Sequence, residues 1–130
     1  STVLYPYLND EPVLLCEGPL DALSLQLAGI NATATMGSSP SKFQLETLKD
    51  SNCDIVVAYD NDEAGTRGIE KLERMRTELL MPSIKICPPP KIYKDWNEAW
   101  KEDFDLKSYV EKTTKDYDLE YLINTNIESW

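Results

Sequence analysis

The sequence predicts an α/β fold of four parallel strands joined by helices that cover both faces of the sheet. Three observations predict it. Two short apolar runs, Val13-Leu14-Leu15-Cys16 and Ile55-Val56-Val57-Ala58-Tyr59, have the character of strands buried on both faces. Around them, apolar residues recur at helical spacing. The resulting order, β-α-β-α-β-α-β, leaves only crossover connections, which are right-handed and put helices on both sides of a parallel sheet.

Residues 13–16 form the first strand. Leu20, Leu23, Leu27 and Ala28 then recur at helical spacing as a core-facing stripe, and Gly29 ends that helix. Residues 32–35 form a weaker strand. Gly37-Ser38-Ser39-Pro40 is a turn in which Ser39 is expected to cap the next helix and Pro40 to be its first residue. Leu45 and Leu48 give that helix its apolar side. Residues 55–59 are the clearest strand. Ile69, Leu72, Met75 and Leu79 mark a long amphipathic helix, roughly residues 64–80. Residues 84–87 form a fourth strand, halted by Pro88-Pro89-Pro90.

Beyond Pro90 the pattern changes. Asp95-Trp96-Asn97-Glu98 has capping-box spacing, with Asp95 as cap. Trp96 and Trp100 are four apart, on one side of the short helix that follows, and read as packing residues. Phe104, Leu106, Tyr109 and Val110 predict another short helix. Residues 116–130 mix Leu, Ile and Tyr with acids; they either close the domain or begin a linker. The expected division is an α/β domain over residues 1–100 and a helical C-terminal extension, or the start of a linker, over 101–130.

Composition limits the function. The 130 residues carry 23 acidic and 13 basic side chains, a formal charge of -10. Affinity for nucleic acid comes largely from Lys and Arg neutralising phosphates, so this chain is expected to bind nucleic acid weakly by itself. It has no histidine, and Cys16, Cys53 and Cys87 form no CxxC pair, which argues against structural zinc. Isolated thiols suit a reducing, cytoplasmic setting. No segment has the length and apolarity of a membrane helix. A chain that opens on Ser1 rather than Met is expected to be a piece of something longer.

Each of the two clearest strands ends in an acidic cluster: Glu17-Gly18-Pro19-Leu20-Asp21 after the first, Asp60-Asn61-Asp62-Glu63-Ala64-Gly65 after the third. Gly18 is read as allowing a tight turn there. Carboxylates at the C-terminal ends of parallel strands converge on one crevice when those strands are neighbours. A shared site therefore predicts the strand order 2-1-3-4. Several carboxylates stay ionised together only beside positive charge, and an oxygen-rich donor set suits Mg²⁺ or Mn²⁺, commonly for chemistry on phosphates. Singly, each cluster also reads as helix capping and turn formation. No GxGxxG, Walker A, GxSxG or EF-hand pattern is present.

Together these residues resemble the Toprim domain, whose signature is a Glu after the first strand and Asp-x-Asp after the third, here Glu17 and Asp60-Asn61-Asp62. Residues 17–24, Ala28-Gly29-Ile30, Ala34-Thr35-Met36-Gly37-Ser38 and residues 60–65 resemble its primase branch. Lys94-Asp95-Trp96-Asn97-Glu98 resembles the Lys-Asp-x-Asn element of phage, plasmid and mobile-element primases. The resemblance covers residues 12–100 and implies a Rossmann-like, four-stranded parallel sheet. It implies Glu17 as general acid/base or metal-organising group, Asp60 and Asp62 as Mg²⁺ ligands, and Asp21 as an accessory carboxylate. Lys94 and Asn97 become candidates for nucleotide or phosphate contact; by spacing alone, both read as ordinary surface residues. The implied activity is metal-dependent synthesis of RNA primers by a longer protein. Its partners would be nucleoside triphosphates and single-stranded DNA, with room for a helicase. A Toprim nuclease and a non-catalytic recombination or scaffold module remain alternatives. The zinc-binding domain and basic subdomain usual in such primases are not in this chain.

Overall fold

Strands β1 (Val13–Cys16), β2 (Ala32–Ala34), β3 (Ile55–Val57), β4 (Lys85–Ile86) and β5 (Lys115–Asp116) form one sheet in the order β2-β1-β3-β4-β5. The computed structural model describes residues 12–35, 40–51 and 53–128, and their side chains except 51, 119 and 125–128. The first four strands are parallel and follow the expected 2-1-3-4 order. The fifth is a correction to the four-stranded, all-parallel expectation. β5 pairs antiparallel with β4, Lys85 opposite Asp116 and Ile86 opposite Lys115. It covers backbone groups that β4 would otherwise present at a bare edge. Two exposed, charged residues carry no strand periodicity, so the sequence gives no sign of it.

The helices are α1 (Pro19–Leu27), α2 (Lys42–Ser51), α3 (Glu63–Glu78), α4 (Trp96–Lys101), α5 (Leu106–Thr113) and α6 (Leu119–Glu128). Strand alternation divides the core into two layers. Leu14, Cys16, Val56 and Ala58 face α1, α4 and α5 through Ala22, Leu25, Trp96, Ala99 and Leu106. Val13, Leu15, Ile55, Val57 and Tyr59 face α2 and α3 through Leu45, Leu48 and Leu72. Tyr117 and Tyr121 pack against this second layer, so the chain beyond residue 116 rests on the sheet.

Three local expectations need correction. The stripe assigned to α1 lies on its outer face: Leu20, Leu23 and Leu27 are 65%, 48% and 59% exposed, and Ala22, Ser24 and Leu25 are buried. Ser24 tolerates burial because its hydroxyl donates to the Leu20 carbonyl (2.8 Å). Secondly, Pro40 precedes α2 instead of starting it. Ser41 caps the helix through Gln44 N–H to Oγ (3.1 Å), and Ser41 N–H donates to Gln44 Oε1 (2.9 Å), a reciprocal capping box. Gly37, Ser38 and Ser39 lie outside the described residues. Thirdly, the two tryptophans part company: Trp96 is wholly buried, whereas Trp100 is 40% exposed. Gly29 does end α1 with φ +84°, the left-handed conformation that favours glycine. Gly18, by contrast, is extended (φ -120°), so its turn makes no such demand. None of the three cysteines forms a disulfide; Cys16 and Cys87 are buried and Cys53 is half-buried.

Candidate metal and phosphate site

β1 and β3 are neighbours, with Leu15 opposite Val57. Their ladder continues one step past the strands, where Ala58 N–H donates to the Leu15 carbonyl (2.8 Å). The next donor in that direction, Asp60 N–H, reaches the carboxylate of Glu17 (Oε1, 3.3 Å). Parallel pairing thus sets Glu17 and Asp60 side by side at the C-terminal end of the sheet. Here α1 leaves on one face and α3 on the other, the usual place for a ligand crevice in an open α/β sheet.

Asp62 sits at the start of α3, and its Oδ1 accepts from Gly65 N–H (2.7 Å). Asp21 lies in the first turn of α1 and accepts from the backbone N–H of Asn97 (3.1 Å). The Asn97 side chain turns the same way, its Nδ2 donating to Ser24 Oγ (3.0 Å), so Asn97 ties α4 to α1. Lys94 is exposed just before α4, and its charge acts on Asp60.

The carboxylates perturb one another. Burial pushes the Glu17 carboxyl up; its hydrogen bond from Asp60 N–H opposes this, and the charges of Asp60 and Asp62 add to the rise. Burial also raises Asp60, with Asp62 and Asp95 adding to it and Lys94 opposing. Asp21 is pushed up to about 6 by burial, against the Asn97 hydrogen bond, with help from the charges of Asp95, Asp60 and Glu17. Such a cluster favours a bound cation.

Among the described residues, no three His, Cys, Asp or Glu side chains converge to hold an ion by themselves. The donors present are oxygens only, which fits a hard divalent ion. Mg²⁺ commonly takes one or two carboxylates and completes its shell with water and substrate phosphates.

Three contributors were not marked as site residues in the sequence. Asp95 caps α4, accepting from Glu98 N–H (2.8 Å), and its charge also bears on Asp21 and Asp60. Trp96 anchors α4 by donating its indole N–H to the carbonyl of Ala58 (2.9 Å), two residues before Asp60. Gly65 packs against the Asp60 backbone so closely that no side chain fits. The capping box at residues 95–98 was the available signal for the first two; an unremarkable helical glycine gave none for the third.

A family model described as Toprim-like matches residues 14–100. The DNA primase of Campylobacter jejuni is 32% identical over 75 residues, covering 57% of this chain and 12% of that protein. The DNA primase of Helicobacter pylori (strain ATCC 700392 / 26695) is 34% identical over 83 residues, covering 58% and 15%. This chain therefore spans only a small part of the curated relatives it matches. A DNA primase domain from Pseudomonas aeruginosa shares the fold, with TM-score 0.73 at 20% identity over 89% of this chain and 37% of that one.

Proposed function

Because the chain belongs to the Toprim-like family, we propose that it is the metal-binding catalytic core of a DNA primase, a nucleotidyltransferase that makes RNA primers on single-stranded DNA as part of a longer protein. The observation that carries this reading is the Glu17–Asp60 contact, which joins both halves of the acidic signature at neighbouring strand ends. Asp60 and Asp62 would hold Mg²⁺ or Mn²⁺, with Glu17 and Asp21 beside them. When bound, the ion supplies positive charge for the phosphoryl oxygens of the incoming triphosphate.

The chain's own groups supply the rest. Glu17, raised by burial and by the aspartates, is suited to take the proton of the primer 3′-hydroxyl. Asp60 and Asp62 follow one strand and move together, whereas Glu17 approaches from its neighbour. Metal holding and proton handling therefore fall to different elements. Lys94 gives a point charge to the triphosphate. Asn97 acts through Asp21, whose orientation it fixes.

The test follows incorporation of labelled ribonucleotides on single-stranded DNA by the full-length parent. Glu17→Gln is expected to lower the rate by about 10²–10⁴. Undiminished synthesis by that variant would remove Glu17 from the mechanism. Degradation of the template by the wild-type parent, with no synthesis, would replace the primase reading with a nuclease.

A further inference from the structure

Tyr59 ends the apolar run that carries β3, one residue before Asp60, and the mechanism above does not use it. It is 2% exposed, and its hydroxyl makes no hydrogen bond. A phenol can both give and take a hydrogen bond, and burying one that does neither is unfavourable. Its position in the sheet identifies the group it faces. Cys16 stands opposite Ala34, and Leu15 opposite Val57. Carrying that register onward places Glu17 between Thr35 and Tyr59. Period-two alternation sends all three toward the face that holds Leu15 and Val57. Tyr59 packs in that layer, and the Glu17 charge acts on its phenol.

The neighbours narrow the choice of partner. The Thr35 hydroxyl, although beside the phenol, donates to the Cys16 carbonyl (3.2 Å). Glu17 meets β3 through one long hydrogen bond from Asp60 N–H, 3.3 Å. On this same face, α2 runs from β2 to β3 and so crosses β1. In its first turn it carries a second buried donor without an acceptor, Nε2 of Gln44. This end of the sheet therefore has more buried donors than acceptors, and the ionised group within reach is the Glu17 carboxylate.

We propose that Tyr59 is a positioning residue for Glu17: its hydroxyl donates to the Glu17 carboxylate from beneath and, with Asp60 N–H, fixes the direction in which that carboxylate faces the crevice. From the reading above it takes only that Glu17 works at the crevice.

The test uses the 130-residue chain with tyrosine labelled at ¹³Cζ, a nucleus sensitive to what the hydroxyl bonds to. Without any metal, the Tyr59 resonance, assigned by its loss in Tyr59→Phe, is expected to move in Glu17→Gln. A resonance that stays put means that the hydroxyl is not on Glu17, and overturns the proposal. The consequence is read by Mn²⁺ titration of wild type, both single variants and the double variant. Tyr59→Phe is expected to weaken Mn²⁺ binding about fivefold in the wild type and to change nothing in Glu17→Gln. Equal losses in the two backgrounds mean that the hydroxyl acts through packing alone, which also overturns it. A wild type that binds no Mn²⁺ would remove the metal reading of the crevice, while the metal-free resonance still decides whether Tyr59 holds Glu17.

Discussion

A methyl group on residue 65 would overlap the Asp60 carbonyl oxygen and come within 3.2 Å of Asp62 Oδ1. The nearest of these is backbone and cannot swing aside, so Gly65→Ala must push the Asp60–Asp62 turn away from α3. The expected cost is about 1–3 kcal/mol, read as a lower urea midpoint. Gly18→Ser is the contrast: a Cβ there meets nothing within 4 Å, and the change should stay within about 0.5 kcal/mol. Wild-type stability in Gly65→Ala would show that α3 does not rest on Asp60. The carboxylates make a second prediction at this scale. A carboxyl raised to about 6 on folding, as Asp21 is, binds its proton more readily in the folded state. From about pH 4 to pH 6 its contribution to stability therefore falls as pH rises. The Glu17 and Asp60 shifts have the same sign. Asp21→Asn keeps an acceptor for Asn97 N–H and removes the charge. It should match the wild type near pH 4 and exceed it by about 1 kcal/mol above pH 6, after allowance for solvent screening at a half-buried side chain. Thermal unfolding from pH 4 to 8 measures this, and identical curves above pH 6 would refute it.

β1 and β3 were legible because a strand buried on both faces must be apolar at every position, and few other elements look like that. Their adjacency followed from asking two acidic ends to share a crevice. The caps at Asp62 and Asp95 were legible as well, since a cap acts over three residues and needs no tertiary context. The inner face of α1 was not, because Ser24 satisfies its own hydroxyl within the helix and leucines occupy the outside. Nor was the seam between α1 and α4, whose bonds join residues more than seventy positions apart. α4 has six residues, too few to persist in water without tertiary anchors. Trp96 is the main one: its ring meets Tyr109 edge-on at 5.8 Å, and its N–H holds the Ala58 carbonyl. Trp96→Phe keeps much of the apolar bulk but strands that buried carbonyl, at a cost of about 1–3 kcal/mol. Trp96→Ala should cost about 3–5 kcal/mol. If Trp96→Phe unfolds at the wild-type urea midpoint, the indole hydrogen bond does not hold α4 in place.

The molecule as a whole carries a charge of -10, and several of its cations are already engaged. Arg67, which could have faced the crevice, pairs with Glu63 at 2.9 Å. Arg76 pairs with Glu73, and Lys49 donates to the Leu79 carbonyl at the end of α3. Lys42, Lys91 and Lys94 lie on separate elements, so a strand of DNA would meet them one at a time. Binding to phosphates gains most of its free energy by releasing condensed counterions, in proportion to the number of phosphates neutralised. Two or three scattered lysines release few, and the surrounding carboxylates repel the strand. A divalent ion at the crevice offsets some of that repulsion locally and adds no track for the backbone. The 130-residue chain should therefore bind single-stranded DNA with a dissociation constant above about 10⁻⁵ M near 0.15 M salt, even with Mg²⁺ present. Its dependence on salt should also be shallow, because few counterions are exchanged. Fluorescence anisotropy with a labelled oligonucleotide over a range of salt concentrations measures both quantities. Submicromolar affinity with a steep salt slope would mean that this chain holds its own template track. Weak, shallow binding is what a core requires if its longer parent supplies the basic contacts and leaves this module to work on the triphosphate.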